Sequence, residues 1–274
     1  MKTFSFIKKS AFGNSHPQED FFVISKKYPI FVVADGVSLN FDKESDYPKK
    51  SGAAEAAKIF CEIVMFEAEK RFDNFTKKDL TEIFDIGNNA VLKYNISCGR
   101  TKDAINYYDV DLFSATTAFL LVKGGRAYWW SLCDSGVVLF NDKHKKMFSS
   151  PAGWDTFPKN WVENRGDKEK IIVRHRDYRN AVNAKGKRVG YGVVDGEESA
   201  KLYLNLGVLD VKNGYVALVH TDGFENYFSL KEFKDLFIRW PKDIVVRLED
   251  VVLKKSEINP SKYGREKTLV AICI

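Results

Sequence analysis

Phe31-Val32-Val33-Ala34-Asp35-Gly36 sets four apolar residues before an Asp-Gly pair, and Ala217-Leu218-Val219-His220-Thr221-Asp222-Gly223 repeats the arrangement far downstream. A β-branched apolar run of this length reads as a strand, with Asp-Gly as the turn that ends it. A strand running into an aspartate holds that carboxylate at a rigid sheet edge. The glycine after it lets the backbone turn and bring its carbonyl close to a ligand. Such oxygen donors suit hard cations, Mg²⁺ and Mn²⁺ among them. One Asp-Gly alone is an ordinary turn signal. Two further acidic positions strengthen the pattern: Asp20, just before the apolar run Phe21–Ile24, and Asp134, in Ser131-Leu132-Cys133-Asp134-Ser135-Gly136. Four carboxylates at strand borders are candidates to converge on one metal cluster.

Outward from these stretches, the chain alternates short strands with one long helical block. Phe21–Ile24 and residues 30–34, separated by the polar 25–29, form a hairpin pattern. Ser51 is placed to cap a helix over Gly52–Arg71, with Ala54, Ala57, Ile59, Phe60, Ile63, Val64 and Phe66 as its apolar positions. A second helix is predicted over 78–94. Strands follow at 114–122, 125–131, 136–141, Val216–His220 and 268–274, with helices at 231–237 and 244–255. A doubly wound parallel sheet would show regular strand-helix alternation, which is absent. The order predicts an α+β fold, a central antiparallel β-sandwich flanked by α-helices.

Composition narrows the class. Of the 274 residues, 45% are apolar, enough for a sizeable core. The net charge of +6 is too mild for a dedicated nucleic-acid binder, so no nucleic-acid partner is expected. Cys61, Cys98, Cys133 and Cys273 show no CxxC spacing, which argues against a zinc ribbon or a thioredoxin motif. Without a signal-like N-terminus or an apolar stretch of about 20 residues, the expectation is a soluble cytoplasmic protein with no membrane partner. Residues 160–188 are rich in Lys168, Lys170, Arg174, Arg176, Arg179, Lys185, Lys187 and Arg188. This run reads as an elaboration beside the core, either a solvated face or a recognition flap for an anionic partner.

The motifs, taken in order, resemble the metal-dependent protein phosphatases of the 2C type, in their bacterial form. Gly13-Asn14-Ser15-His16-Pro17-Gln18-Glu19-Asp20 resembles the family's Arg-x-x-Asn-Glu-Asp block, and Val33-Ala34-Asp35-Gly36-Val37 its first Asp-Gly motif. Ser51-Gly52-Ala53-Ala54-Glu55-Ala56-Ala57 is similar to the small-residue helix that follows. Ser114-Ala115-Thr116-Thr117-Ala118 and Cys133-Asp134-Ser135-Gly136 resemble the Gly-x-Thr-Ala and Gly-Asp-Ser-Arg segments. Later, Gly190-Tyr191-Gly192-Val193-Val194-Asp195-Gly196-Glu197-Glu198 resembles a segment of bacterial members, His220-Thr221-Asp222-Gly223-Phe224 the Thr-Asp-Gly motif, and Glu266-Lys267-Thr268-Leu269-Val270 the closing strand.

The resemblance implies one phosphatase domain over 1–274, a four-layer αββα fold, with a basic insertion or flap around 155–190. Asp35 would bridge two ions of Mn²⁺ or Mg²⁺ and hold the water between them. The Gly36 carbonyl and Asp222 would ligate one ion each, Asp20 would hold metal-bound waters, and Asp134 matches a third, weaker site. The implied substrate is a phosphorylated serine/threonine protein, hydrolysed by in-line attack of a metal-activated water without a phosphoenzyme. A cognate Ser/Thr kinase is an implied partner, and a monomer is expected.

Two departures qualify the pattern. Arg265 stands where the family has an aspartate, followed by Glu266, which is kept as a candidate metal ligand. Ser15 stands where the family's phosphate-gripping arginine is expected, leaving His16 or Lys9 as substitutes. The candidate catalytic residues are therefore Asp35, Asp222 and His16. His220 reads as a satisfied core histidine, and His144 and His175, among basic residues, as exposed. Two readings stay open: an active phosphatase, and a catalytically weak relative that binds a phosphorylated partner or acts as a scaffold.

Overall fold

Strands that bury both faces read as continuous apolar runs, and here such runs stack in two sheets. The computed structural model describes residues 2–11, 17–37, 51–107, 111–143, 145–153 and 172–274. One sheet orders β1 (Lys2–Lys8), β10 (Lys267–Cys273), β9 (Val216–His220), β6 (Gly136–Phe140) and β7 (Lys146–Ser149) side by side. The second orders β2 (Phe21–Ile24), β3 (Ile30–Val37), β4 (Ser114–Lys123), β5 (Arg126–Leu132) and β8 (Asn205–Asp210). Every neighbouring pair is antiparallel. Helices α1 (Gly52–Arg71) and α2 (Lys77–Ser97) lie on the second sheet, and α3 (Lys231–Arg239), α4 (Ile244–Ile258) and the short α5 (Pro260–Tyr263) accompany the first.

Three apolar layers hold these four together. Val32, Phe60, Val64, Phe84, Phe119 and Trp130 fill the space between α1, α2 and the second sheet. Phe31, Val33, Leu120, Val219 and Val270 fill the space between the sheets. Phe6, Leu218, Phe233, Leu248 and Leu269 join the first sheet to the C-terminal helices. Consecutive residues Phe31, Val32 and Val33 alternate between two of these layers, as the two-residue strand period requires. Burying each such side chain contributes about 1.5–3 kcal/mol. Trp130, fully buried and stacked on Phe119 with ring centroids 4.2 Å apart, anchors the first layer.

Helix α1 starts where the sequence predicts, with Ser51 Oγ accepting from the Ala54 N–H at 3.3 Å. Its buried stripe is Ala53, Ala56, Ala57, Phe60, Cys61, Val64, Met65 and Ala68, a clean helical period. Of the predicted apolar positions, Ala57, Phe60 and Val64 belong to it. Phe66 does not and is 63% exposed. The small residues let α1 lie close on the sheet: a Cβ at Gly36 would stand 2.9 Å from the Ala53 carbonyl carbon and oxygen.

One correction bears on the site. Asp35-Gly36 is no turn: β3 runs on to Val37, pairing Asp35 with Thr116 and Gly36 with Ala115. The ladder and the close approach of α1 override the local turn signal. β1, β7 and β8 were not legible as strands, since their burial is partial and lysines or a glycine interrupt the pattern. Among the described residues no helix is long and apolar enough to cross a membrane.

Candidate active site

β3 and β5 run parallel to each other through their common neighbour β4, so both deliver their C-terminal ends to the same end of the sheet. There Asp35, Asp134 and Asp222 line one cavity of about 280 Å³, together with Thr116, Cys133, Arg174, His175, Tyr191 and Arg265. Asp134 gets there through a left-handed turn at Cys133, φ 59°, whose carbonyl accepts from the Gly153 N–H at 2.8 Å. Asp222 opens a 3₁₀ segment, Asp222–Ser229, two residues past the end of β9.

Asp20 is buried just outside this wall. Thr221 Oγ1 donates to its Oδ2 at 2.8 Å and accepts from the Thr268 N–H at 2.9 Å, so one hydroxyl ties β10 to the chain entering β2. Asp20 Oδ1 is buried without a hydrogen-bond partner. Glu266 turns toward the same chain: its Oε1 accepts from the Glu19 N–H at 2.6 Å, and from the Asp20 N–H and Gln18 Nε2. The oxygen proposed from sequence as a metal ligand thus already serves three donors.

The electrostatics follow from crowding. Burial, then the charges of Asp20, Asp222, Asp134 and Glu266, push the Asp35 carboxyl well above the usual range. Burial likewise raises Asp20 and Glu266 and lowers Lys267. The Cys133 thiol, pushed well up by burial and by Asp134, stays protonated. Arg265 and Lys267 sit among these acids. Arg265 Nη1 donates to Asp222 Oδ2, and buried Lys267 Nζ donates to the Arg265 carbonyl.

The remaining wall comes from the segment after residue 171. Val194 exchanges backbone hydrogen bonds with Ala115 at 2.8 and 2.9 Å, which lays residues 190–196 against the start of β4. At its start the same segment lies close on Tyr178: a Cβ at Gly190 would stand 1.7 Å from the Tyr178 carbonyl oxygen. Beneath, Arg179 is buried and donates to Asp111 Oδ1 and, at 3.1 Å, to Ser114 Oγ. Asp195 lies 3.8 Å from Arg179 Nε. Its Oδ1 accepts from Asn180 Nδ2 at 2.8 Å. His175, expected to be exposed, is 2% exposed, with Nδ1 3.0 Å from Asp111 Oδ2. Lys185, Lys187 and Arg188 are exposed. Arg179 and His175 are instead buried by the ionic network.

Of the predicted site residues, the structure brings Asp35, Asp134 and Asp222 into one cavity with Asp20 beside it, and turns Glu266 to the loop before β2. Lys9 is exposed. His16, Ser15 and His144, like residues 155–171 of the predicted flap, lie outside the described residues. Sequence reasoning missed Asp111, His175, Arg174 and Arg179 as a unit. Only the Gly190–Gly196 motif pointed to that wall.

Comparison with known proteins starts from the family model for protein phosphatase 2C, which matches residues 9–155, more than half of the chain. The chain belongs to the protein phosphatase 2C family. No curated protein sequence matches it. Among solved structures, the protein phosphatase 2C fold recurs in PppA, described as a key regulatory component of T6SS in Pseudomonas aeruginosa. PppA has 12% identity and a TM-score of 0.59, over 100% of this chain and 97% of that one. The catalytic domain of the serine/threonine phosphatase PstP, in complex with two manganese ions, is similar at 13% identity and a TM-score of 0.57, over 98% and 96%. RsbX in complex with magnesium is similar at 12% identity and a TM-score of 0.52, over 98% and 92%.

The protein phosphatase 2C fold implies metal, and the residues fit it unevenly. An orphaned buried oxygen on Asp20 and four acids crowding Asp35 make a donor set that favours a cation. The Asp222 side fits less well, because Arg265 already supplies it with positive charge. Among the described residues, no three acid, histidine or cysteine side chains stand in ready ligand geometry.

Proposed function

We propose that this chain is a single-domain, metal-dependent serine/threonine protein phosphatase. The observation that carries the reading is the meeting of Asp35, Asp134 and Asp222 in one cavity, from three separated stretches of sequence, with Asp20 against Asp35. Asp35, the Gly36 carbonyl and Asp222 would hold Mn²⁺ or Mg²⁺, with Asp134 at a further site. Bound there, such ions neutralise phosphoryl charge and make a water more acidic. The relatives crystallised with magnesium or manganese support this choice of ion. The chain's own part is positional. Thr221 fixes Asp20, the strand ladder fixes Asp35, and the Cys133 turn fixes Asp134. A phosphorylated serine or threonine protein is the substrate class, and a cognate kinase and a cytoplasmic setting follow from it.

Hydrolysis of p-nitrophenyl phosphate and of a phosphothreonine peptide with Mn²⁺, with and without chelator, tests the proposal. Turnover should require metal and vanish in Asp35→Asn. Metal-independent turnover, or turnover that survives this substitution, would sink it.

A second reading is favoured by one contact. Arg265 holds Asp222 as an ion pair, which suits a phosphoprotein-binding relative with weak catalysis. Binding of the phosphothreonine peptide without turnover would select this reading.

A further inference from the structure

A phosphate monoester is a dianion, and the cavity that would receive it is lined by carboxylates. Beside the metal ions, a fixed side-chain cation facing the phosphoryl oxygens would orient the group. In the opening block Ser15 stands where the resemblance expects an arginine, and Lys9 is exposed. Among the described residues, two arginines line the cavity, Arg174 and Arg265. Arg265 is committed to Asp222. Arg174 pairs with no carboxylate among the described residues, and its Nε is buried without an acceptor.

The geometry points to Arg174 as the residue that grips the phosphoryl group, held in position by Asp111 and His175. The inference rests on the phosphatase reading above. Its logic is a chain of three contacts. Asp111 accepts at Oδ1 from Arg179, an ion pair that fixes the carboxylate. At Oδ2 it lies 3.0 Å from His175 Nδ1. A carboxylate there places the ring proton on Nδ1, so Nε2 presents a lone pair. Arg174 Nη2 stands 3.4 Å from that Nε2, within reach to donate to it. One N–H of Nη2 is thereby tethered, while its second N–H and the neighbouring N–H on that edge of the guanidinium are left for an oxygen ligand. Two N–H groups on one planar fork match two phosphoryl oxygens, a geometry that a lysine does not reproduce.

The state of His175 agrees with this. Burial, with Arg179 and Arg174 nearby, holds it down at about 4 against the support of Asp111, so the ring is neutral at physiological pH. A protonated ring would have no lone pair to offer and would repel the guanidinium. Sequence order explains why the unit is hidden: the anchoring Asp111 lies just before β4, 64 residues from His175. Arg174–Tyr178 form a single π-helical turn, which sends Arg174 to the cavity while Arg176 faces solvent beside Asp177.

The test uses the full chain and inorganic phosphate as probe, measured by calorimetry in Mn²⁺, beside steady-state hydrolysis of p-nitrophenyl phosphate. Arg174→Ala should weaken phosphate binding and raise KM by at least about tenfold, a change of about 1.4 kcal/mol. Mn²⁺ affinity should stay unchanged. Arg174→Lys should recover part of the loss, keeping charge without the fork. His175→Gln should raise KM more than it lowers kcat, since it disturbs position and not chemistry. Arg176→Ala, an exposed control, should match wild type. Thermal melts confirm that each variant is folded.

Wild-type phosphate binding that survives Arg174→Ala overturns the inference, whatever the catalytic rates. If wild type binds phosphate but hydrolyses nothing, the phosphatase reading fails, and loss of binding in Arg174→Ala still upholds the grip. A wild type that neither binds nor hydrolyses overturns both.

Discussion

Removing the Arg265 side chain isolates the contact in which this cavity departs most from a two-cation site. The guanidinium donates to Asp222 Oδ2, with the two side chains 34% and 16% exposed. Unit charges about 4 Å apart at an effective dielectric of about 20 attract by about 4 kcal/mol. Fully exposed pairs measure only about 0.2–1 kcal/mol. A pair exposed to this degree falls between, at about 1–2 kcal/mol. A divalent cation that takes Asp222 as ligand must displace that interaction, and each 1.4 kcal/mol is tenfold in affinity. Arg265→Ala should therefore tighten Mn²⁺ binding by about 5- to 30-fold, and Arg265→Asp by more, since it adds a ligand oxygen. The loop should hold its place, because Lys267 bonds the Arg265 backbone carbonyl, and Glu266 is fastened by three donors. Calorimetric titration with Mn²⁺ at fixed ionic strength, with Asp222→Asn as reference, reads the effect. Equal affinity in wild type and Arg265→Ala, or weaker binding in the variant, would refute the reasoning.

Glu266→Ala should leave the Glu19 and Asp20 amides and Gln18 without their acceptor; at about 1–3 kcal/mol for each buried orphan, urea unfolding should show a loss of several kcal/mol, and little change would place that carboxylate elsewhere. Trp130→Ala should cost about 3–5 kcal/mol in the same assay, because a stacked, fully buried ring leaves a cavity. His175 makes a testable contribution to acid sensitivity. Its folded pKa, lowered to about 4, means that the unfolded chain binds the extra proton as pH falls from about 6.5, so stability is lost in that window. Asp195, raised to about 7 mainly by burial, acts in the opposite sense, so the wild-type profile alone is not diagnostic. The comparison is: between pH 7 and pH 4, His175→Gln should lose about 3 kcal/mol less stability than wild type, and parallel profiles would contradict this.

The layer order was legible because strands buried on both faces cannot avoid announcing themselves: Ile30–Val33, 118–122 and Val216–Val219 are almost wholly apolar. Helix α1 was legible through its cap, although Phe66 is exposed and Ile59 packs only at the edge of the buried stripe. β8 hid because a half-buried strand such as Asn-Leu-Gly-Val-Leu-Asp has no strong alternation. In the site, the aspartates were readable because each follows or precedes an apolar run. The ionic wall of Asp111, His175 and Arg179 was not, since charged residues in a basic stretch read as solvated and only tertiary packing reveals their partners. Arg265 stands out in its motif, but its pairing with Asp222 rests on a loop geometry that no local pattern encodes.

Asp35 lies inside a ladder, not on a turn. The Gly36 N–H beyond it still donates to the Glu19 carbonyl, at 3.2 Å. Side chains on a strand alternate faces, so a slip of β3 by one residue against β4 would send this carboxylate to the other side of the sheet. Its position is therefore an all-or-nothing property of strand pairing. A partly assembled or mispaired chain cannot present an approximate version of the acidic cavity, and cation affinity becomes a direct reporter of correct β3–β4 registration during folding.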